Sequence, residues 1–522
     1  MKAKTTFAKT AALMGIIILF AKCMGLIRDI LVASVYGTTL YAVAYETASK
    51  LPITVFDLVL GGVVTSAFIP VYHSIAHDRG KEDAITFTGA YLNFILLITT
   101  AISVIGVVFA PTLVSLLAPG LDAATQTLSV SLTQIMFPMV IFVGMAFTFV
   151  GFLQAEGEYN IPAVISLVSN LIMVGYLVYV KYAKPDPMVS VRGLAIMMLV
   201  GWLAQAAVQI PSARKRGLRY RLLISPFTPD TFRAMKNALP ILAATWTAPV
   251  CTLINTRAAS LLKDGAISAL GYANRLYIII VGLFSFVATN LLFPYFSRAA
   301  AEGNTKESDR LTRLSMRILT YIIAPISVGV AVLARPFVAL IYENGAFGAS
   351  DTAMTAGALA FYAVGMLFTA LCEVLTKAFF AAQKTKYPMI ASLCALAFNG
   401  LLLFIVVRNE KLLSIEAIAL ISGLAAGVQL LAIYILARKK KLIGMASADL
   451  ADGAKSIVSA LLMGGAVYGI YRVTLHMGLL SLGLSVCIGV IAYILLTAIL
   501  RSEETKAIFA FLKKDHRKGG AV

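Results

Sequence analysis

The side chains of this sequence best placed to do chemistry are ionisable groups inside long apolar runs. A charged side chain in the hydrocarbon core of a membrane costs roughly 2.5–3.5 kcal/mol on insertion scales, so its retention needs a reason, such as binding or pairing. Cations outnumber acids among these groups, which favours a cavity for an anionic guest. The candidate binding residues are Lys22, Arg28, Asp29, Glu46, Lys50, Asp57, Arg257 and Arg275.

The spacing of these residues places several of them on shared helix faces. Lys22 and Asp29 are seven positions apart, which is close to two helical turns. Glu46, Lys50 and Asp57 follow an i, i+4, i+11 pattern and form one polar stripe. An alternative is that such groups pair with one another, for example Glu46 with Lys50, and only hold helices together.

Patterns typical of catalysis, metal binding or nucleotide hydrolysis are not found in the sequence. The four histidines lie at predicted helix ends or in the tail, and the five cysteines lie in apolar stretches without CxxC spacing. No glycine-rich phosphate loop precedes a helix. We therefore expect a protein that is not an enzyme, binds no metal and uses no cofactor, and whose transport draws on a gradient or a potential.

The elements that must position these residues follow from composition. The 522 residues are 60% hydrophobic and 13% charged, with a mean hydropathy of +0.88, which is too much apolar surface for one soluble core. In lipid every backbone polar group must be satisfied within the segment, and the runs lack strand alternation. The sequence predicts an all-α polytopic membrane protein with about fourteen transmembrane helices, near residues 8–36, 42–74, 84–116, 124–153, 160–182, 191–210, 230–261, 268–298, 308–335, 350–380, 387–408, 413–437, 450–473 and 478–500.

The charge of the connections sets the predicted orientation. A formal net charge of +19 and a pI near 9.6 would suggest nucleic acid in a soluble protein. Here most basic residues sit in every second connection between the predicted spans, all on one side of the membrane, so we expect no nucleic-acid partner. The positive-inside rule then places both termini in the cytoplasm.

The chain also repeats itself. The segment "FLQAEGEYNIPAVISL" resembles "FFAAQKTKYPMIASL", and Pro162 of the first matches Pro388, 226 positions later. A second pair, "TSAFIPVYHS" and "TNLLFPYFSR", matches Pro70 to Pro294, 224 positions later. Two matches at nearly one offset predict two pseudo-symmetric six-helix lobes plus two C-terminal helices. The predicted domains are 1–221 (helices 1 to 6), 222–441 (helices 7 to 12) and 442–522 (helices 13 and 14 with a basic cytoplasmic tail).

Several sequence motifs are distributed over predicted helices 1 to 11. They are "AKCMGLIRDILVASVYG" from Ala21, "SKLP" from Ser49, "SAFIPVY" from Ser66, "GFLQAEGEYNIPA" from Gly151, "YANRL" from Tyr272, "LFPYFSRAAAEGN" from Leu292 and "QKTKYP" from Gln383. These motifs resemble those of the MurJ/MviN family of lipid II flippases, within the multidrug/oligosaccharidyl-lipid/polysaccharide exporter superfamily. The extra pair of helices at the end suits this family better than its twelve-helix relatives.

The resemblance implies a cavity whose arginines bind the diphosphate and head group of an undecaprenyl-linked peptidoglycan precursor, with the lipid tail in a groove beside the last two helices. By position Arg28 and Arg275 match family arginines, and Lys22 stands where an arginine is usual. Lysine keeps the charge but loses the bidentate fork. Phe56 and Asp57 occupy the place where the family often has an arginine pair.

The function that we predict is an alternating-access flippase that moves lipid II from the inner to the outer leaflet of the bacterial cytoplasmic membrane. The expected partners are the lipid-linked anionic substrate, the membrane and cell-wall synthesis proteins, and we expect a monomer. The absent arginine pair leaves a flippase for another polyprenyl-linked glycan as an alternative. A cation-coupled drug exporter of the same superfamily would need an acid-rich cavity, and a scaffold without transport would not need buried cations.

Overall fold

The computed structural model describes residues 20–61, 63–220, 225–236, 246–302, 304–409, 411–444 and 447–506. Within these ranges the regular structure is helical, and no strand occurs. The helices are α1 (20–36), α2 (Leu40–Val59), α3 (Val63–Ser66), α4 (Phe68–Asp78), α5 (Lys81–Val108), α6 (Ala110–Leu117), α7 (Ala123–Met136), α8 (Met139–Ala155), α9 (Asn160–Ala183), α10 (Pro187–Lys215), α11 (229–236), α12 (Thr247–Ser260), α13 (Ala266–Ala301), α14 (Thr305–Val332), α15 (Ala334–Tyr342), α16 (Ala349–Ala381), α17 (Lys386–Val407), α18 (Ile415–Lys439), α19 (Ser447–Thr474) and α20 (Leu479–Ile499).

Many of these helices can cross a bilayer. In the described part of the chain, ten helices are long and apolar enough to span a membrane, and α7 with α8 makes an eleventh span if this pair, bent by 40°, counts as one. The predicted all-α polytopic membrane fold is therefore confirmed. The number of fourteen spans stays a prediction, because helices 1 and 7 run partly through residues outside the described ranges.

Four segments that we predicted as single helices are broken in the structure. The predicted span 42–74 divides into α2, α3 and α4, with Gly61 at a positive φ of 42° where α2 ends. The other three breaks separate α5 from α6, α7 from α8, and α14 from α15. A proline lies at or just after each of these three breaks, where its missing N–H and its ring interrupt the helical hydrogen bonds.

The contacts of the chain form two compact units. One contains Met1–Ser268 with Asn344–Gly348, and the other contains Ala269–Glu343 with Ala349–Val522. Compactness and sequence repetition are different criteria, so the predicted lobes stay a prediction. Their predicted boundary after residue 221 and the predicted tail beyond residue 506 lie outside the described residues.

An aromatic cluster holds α4, α5 and α8 together in the first unit. The ring of Phe68 lies 5.4 Å from Phe87 and 5.2 Å from Tyr91, centroid to centroid. Tyr72 meets Phe152 edge to face at 5.8 Å. All five side chains are buried. Large rings in such offset and edge contacts add packing energy beyond burial, so these helices form a firm scaffold.

The turns α8–α9 and α16–α17 close with the same backbone hydrogen bonds. In the first turn the N–H of Glu158 donates to the carbonyl of Leu153 at 2.7 Å. In the second turn, 226 positions later, the N–H of Lys384 donates to the carbonyl of Phe379 at 2.9 Å. The residue before each donor has a positive φ, 74° in the first turn and 56° in the second. Both turns are the C-terminal closures expected where a helix ends, and they agree with the sequence repeat.

A network of ion pairs at one end of the second unit joins α14 to α19 and to the segment after α20. Arg313 donates to Asp449 at 2.9 Å. Arg317 pairs with Asp449 at 3.2 Å, with Asp452 at 3.3 Å and with Glu504 at 2.7 Å. Both arginines are half-buried. Several charges that share partners in this way hold helix ends more firmly than an isolated surface pair.

Candidate functional site

Arg28 on α1 is held by two side chains of different kinds. Its Nη2 and Nε donate to Oδ1 of Asp29 at 2.9 and 3.1 Å. Its Nη1 donates to Oδ1 of Asn170 on α9 at 3.1 Å. Asn170 also donates to the carbonyl of Ala21, and Gly25 lies beside it, where a Cβ would be 3.6 Å from its amide nitrogen. Asn170 therefore connects α9 to two points on α1, the side chain of Arg28 and the carbonyl of Ala21.

The burial of this pair is uneven. The side chain of Asp29 is 7% exposed, whereas that of Arg28 is 29% exposed. The buried carboxylate needs the hydrogen bonds it receives, because an ionised group inside a membrane protein is costly without them. The arginine is therefore anchored on one side and accessible on the other, a geometry suited to binding an anion.

A second cation lies on α2. Nζ of Lys50 is 3.2 Å from Oε1 of Glu46, one turn earlier, and donates to Oγ1 of Thr256 on α12 at 3.4 Å. Glu46 is buried and Lys50 is half-buried. The polar stripe predicted on α2 thus begins with an internal ion pair. Asp57, the third member of the stripe, is half-buried near the end of α2.

Lys22 and Arg257 complete the first unit's candidates. Lys22 is exposed on α1. Arg257 is exposed on α12, and its Nη1 donates to the carbonyl of Leu116 at the end of α6. The helix that carries Arg257 packs against α2 and α6 of the first unit. Arg257 therefore also ties two helices together.

Arg275 belongs to the second unit, on α13, and is half-buried. Its guanidinium carbon lies 5.8 Å from the ring centroid of Tyr272, within the range of a cation–π contact. Tyr272 is buried and packs on Tyr342 at 5.2 Å. One turn along the chain Tyr277 hydrogen-bonds Thr369 at 2.6 Å. Arg275 is therefore positioned by an aromatic platform.

The structure brings four of the eight predicted residues together in two pairs. Arg28 joins Asp29, and Glu46 joins Lys50, so the alternative of internal pairing holds for these four as a matter of geometry. Arg275 has its own environment in the other unit, and the use of all eight residues as one binding site stays a prediction. Sequence reasoning missed Asn170 and Thr256, and the only signal was that each is a polar residue in an apolar stretch.

An apolar groove lies among α14, α15, α19 and α20 in the second unit. Its volume is ≈ 430 Å³. Two tyrosines close one part of it, since Oη of Tyr493 donates to the carbonyl of Tyr321 at 2.8 Å. A groove beside the last two helices is the place where the resemblance implies a lipid tail. Its apolar lining includes Ile322, Pro325, Phe337, Met463, Leu482 and Val486.

A helical bundle that spans a membrane and keeps cations inside its spans fits the class of membrane transporters. Its fold is similar to a solved structure described as lipid II flippase MurJ in an inward closed conformation, with a TM-score of 0.79 and 21% identity over 94% of this chain and 98% of that one. It is also similar to an inward-facing multidrug resistance MATE family transporter of the MOP superfamily, with a TM-score of 0.67 and 13% identity over 82% of this chain and 98% of that one.

Sequence comparison narrows this class to one family. The family model of the lipid II flippase MurJ matches residues 32–503. A probable lipid II flippase MurJ of Rhizobium meliloti is 29% identical over 76% of this chain and 74% of its own length. The lipid II flippase MurJ of Burkholderia cenocepacia is 26% identical over 81% of this chain and 82% of its own. This chain belongs to the MurJ family of lipid II flippases, which confirms the resemblance seen in its motifs.

Proposed function

We propose that this protein moves lipid II, the undecaprenyl-diphosphate-linked peptidoglycan precursor, from the inner to the outer leaflet by alternating access. Membership of a transporter family supports the proposal. The structural observation that carries it is Arg28, a half-buried guanidinium inside the membrane that is fixed on one side by Asp29 and Asn170. A cation kept at this cost and still accessible is suited to a phosphate ligand.

The fixed orientation of Arg28 matters for binding. A planar guanidinium binds phosphate oxygens through two parallel N–H donors, and a ligand gains most when the donors are already oriented. Asp29 and Asn170 supply that orientation from α1 and α9. Their role is therefore to position the arginine rather than to touch the substrate.

The remaining cations would share the charge of the substrate. Lys22, Lys50, Arg257 and Arg275 each place a positive group within or beside a span. A diphosphate held by several cations tolerates a lysine at one position, because charge is conserved where the fork is lost. With the inside negative, each negative charge moved outward gains about 2.3 kcal/mol per 100 mV, so a dianionic head group contributes roughly twice that to its own export.

The apolar groove of the second unit suits the polyprenyl tail. Its lining offers apolar side chains from four helices, so a long hydrocarbon could stay in an apolar environment while the head group is bound elsewhere. The substrate would thus be recognised by charge at one end and by apolar burial at the other.

The proposal includes a cellular setting. We place the protein in the bacterial cytoplasmic membrane with both termini in the cytoplasm, as a monomer that meets cell-wall synthesis proteins. The charge asymmetry of the connections supports the orientation. Cysteines introduced singly at Gly348, which is exposed and where a Cβ would meet open space, and at Gly80 test it, because the first should react with an impermeant reagent in intact cells and the second should not.

The proposed substrate is tested by complementation and by reconstitution. The wild-type chain should support growth of a strain depleted of its lipid II flippase, and in vesicles it should accelerate flipping of a fluorescent lipid II. Asp57, in place of the arginine pair, favours a second candidate substrate, another polyprenyl-linked glycan. Flipping of that glycan with no flipping of lipid II would replace our proposal by the second candidate.

A further inference from the structure

A cavity in the first unit lies among α5, α8 and α10, apart from the residues assigned to transport. Its volume is ≈ 520 Å³. All three helices belong to candidate membrane spans. The inner wall is apolar and the outer wall is basic. Its lining consists of Leu92, Leu96, Met145, Phe149, Ile210, Ala213, Arg214, Leu218, Arg219 and Tyr220.

The two arginines of this cavity differ from their neighbours. Arg216 pairs with Glu158 at 2.5 Å, and Arg79 pairs with Asp230 at 2.5 Å. In the described ranges neither Arg214 nor Arg219 forms an ion pair, and both are exposed. No described lining residue is acidic. The mouth of the cavity therefore carries two positive charges without a neutralising carboxylate, at the end of α10 that the positive-inside rule places in the cytoplasm.

One exposed aromatic side chain, Tyr220, lines this cavity, and two others, Phe227 and Phe232, pack against the neighbouring residue Phe94 of α5. Oη of Tyr220 donates to Oδ1 of Asn93 at 2.7 Å. The ring of Phe94, the next residue, lies 6.1 Å from Phe227 and 6.3 Å from Phe232. Tyr220, Phe227 and Phe232 are all exposed. Aromatic residues with one face in contact with apolar groups and the other exposed are typical of the boundary between bilayer and water.

We propose that this cavity binds an anionic phospholipid of the cytoplasmic leaflet, with its phosphate at Arg214 and Arg219 and an acyl chain along Leu92, Leu96 and Phe149. Basic pockets between transmembrane helices on the cytoplasmic side recognise anionic lipid head groups by this combination of charge and apolar contact. The bound lipid belongs to the surrounding bilayer and is distinct from the transported substrate.

The lining residues favour an anionic phospholipid over a free inorganic anion or a neutral lipid. A free inorganic anion would use the arginines but would leave the apolar wall in contact with water. A neutral lipid would cover the wall but would leave two cations without a counter-ion. An anionic phospholipid satisfies both parts, because hydrocarbon burial and charge pairing act at opposite ends of one molecule.

The test uses the full-length protein and phosphatidylglycerol as the probe, with native mass spectrometry counting bound lipid during a titration. Arg214→Gln with Arg219→Gln should weaken the tightest phosphatidylglycerol binding by about thirtyfold, the effect of two cations near a membrane surface. The matched control is Lys215→Gln with Lys439→Gln, which also removes two exposed cations at helix ends but none from the cavity lining. The control should bind as the wild type does.

Further measurements compare phosphatidylglycerol with other ligands that could enter the cavity. Phosphatidylcholine should bind the wild type more weakly than phosphatidylglycerol, and glycerol phosphate should not displace the lipid. Equal phosphatidylglycerol binding by the arginine double variant, at an unchanged melting temperature, would overturn the proposal. Displacement by glycerol phosphate would reassign the cavity as a simple anion site, and displacement by lipid II with loss of flipping in the double variant would reassign it to the substrate.

Discussion

The turns α8–α9 and α16–α17 have the same backbone and opposite charge. The first contains Glu156 and Glu158, which pair with Lys81 and Arg216 at 2.5 Å each. At the equivalent positions, 226 residues later, stand an alanine and Lys384. Two further lysines lie near this second turn, since the Nζ atoms of Lys386 and Lys440 are 5.4 and 5.3 Å from the ring centroid of Tyr387.

The two turns share their backbone hydrogen bonds but differ in the charges of their side chains. Each turn closes through hydrogen bonds within its own few residues, so its backbone does not depend on distant partners. The charges depend on distant partners, because Lys81 lies on α5 and Arg216 ends α10. Local geometry can therefore persist in both halves while their electrostatics diverge.

The largest expected effect concerns the first unit, where a cation pairs with an acid inside the membrane as it does in the first turn. Arg28→Ala should abolish transport, and it should also destabilise the protein by roughly 1–3 kcal/mol, because buried Asp29 loses both hydrogen bonds from the arginine. Adding Asp29→Asn should restore the melting temperature but not transport. Complementation at matched expression and thermal unfolding in detergent measure the two effects.

The control for this prediction is Arg310→Ala, which removes an arginine from an exposed surface pair on α14. It should keep both growth support and stability. Arg275→Ala, in the second half, should lose transport as well. Normal growth with Arg28→Ala would remove this residue from the substrate site.

The second prediction concerns α19 and α20, which line the apolar groove of the second unit. Val486→Trp should fill the groove lined by α14, α19 and α20 and should reduce flipping of a long-chain substrate strongly, with a smaller loss for a short-chain analogue. The matched control is Val458→Trp, since Val458 on α19 is about as exposed, 48% against 49%, and does not line the groove. Equal flipping by the two variants would separate the groove from the lipid tail.

A smaller effect should come from exchanging the residues with positive φ in the two turns. Gly157→Gln should destabilise the first turn by about 1 kcal/mol, since a side chain in the left-handed region is strained even though a Cβ would meet open space here. Gln383→Gly should relieve similar strain, offset in part by the greater freedom of glycine when unfolded. Thermal unfolding of both variants checks the opposite signs. A loss of stability in both would mean that the turns are not equivalent.

The smallest effect should be one of pH in the first turn alone. Burial raises the pKa of Glu156, but hydrogen bonds from Lys81 and Tyr72 outweigh it, so its pKa lies below the ordinary value of 4.5. A carboxyl group whose pKa is lower in the folded than in the unfolded state stabilises the fold. This stabilisation is complete at a pH above the unfolded-state pKa and is lost as the pH falls through the folded-state pKa. Glu156→Ala, which copies the second turn, should cost about 0.5 kcal/mol at neutral pH.

This pH effect is measured by comparing melting temperatures of the wild type and Glu156→Ala from neutral pH to below the ordinary pKa of glutamate. The difference between the two proteins should shrink as the pH falls. A constant difference across that range would contradict a role for the Glu156 charge.

The sequence predicted the helical membrane fold because hydrocarbon admits few backbone structures, and apolar runs of span length are unmistakable. The helix breaks were not predicted, although Pro111, Pro138 and Pro336 lie near three of them. A proline such as Pro325 lies inside a continuous helix of the same protein. Neighbouring helices therefore decide whether a proline ends a helix or only disturbs it.

The part of the candidate site that could be predicted from the sequence consists of its charged residues. Arg28, Glu46 and Lys50 stand out because ionisable groups are rare in apolar runs. Asn170 and Thr256, which orient them, do not stand out, because contacts between residues more than 100 positions apart leave no local pattern. The hydrogen bond of Arg257 to a backbone carbonyl was hidden for the same reason, since any residue can supply a carbonyl.

The ion-pair network around Arg317 has a consequence for biogenesis. Its partner Asp449 is made 132 residues later, and Glu504 is made 187 residues later. At about 5–20 residues per second, the ribosome needs roughly 10 s to supply the first of these partners. Until then Arg317 cannot form these ion pairs. The second unit therefore acquires these ion pairs only after Glu504 has been synthesised, which makes the completion of this network a late step of assembly.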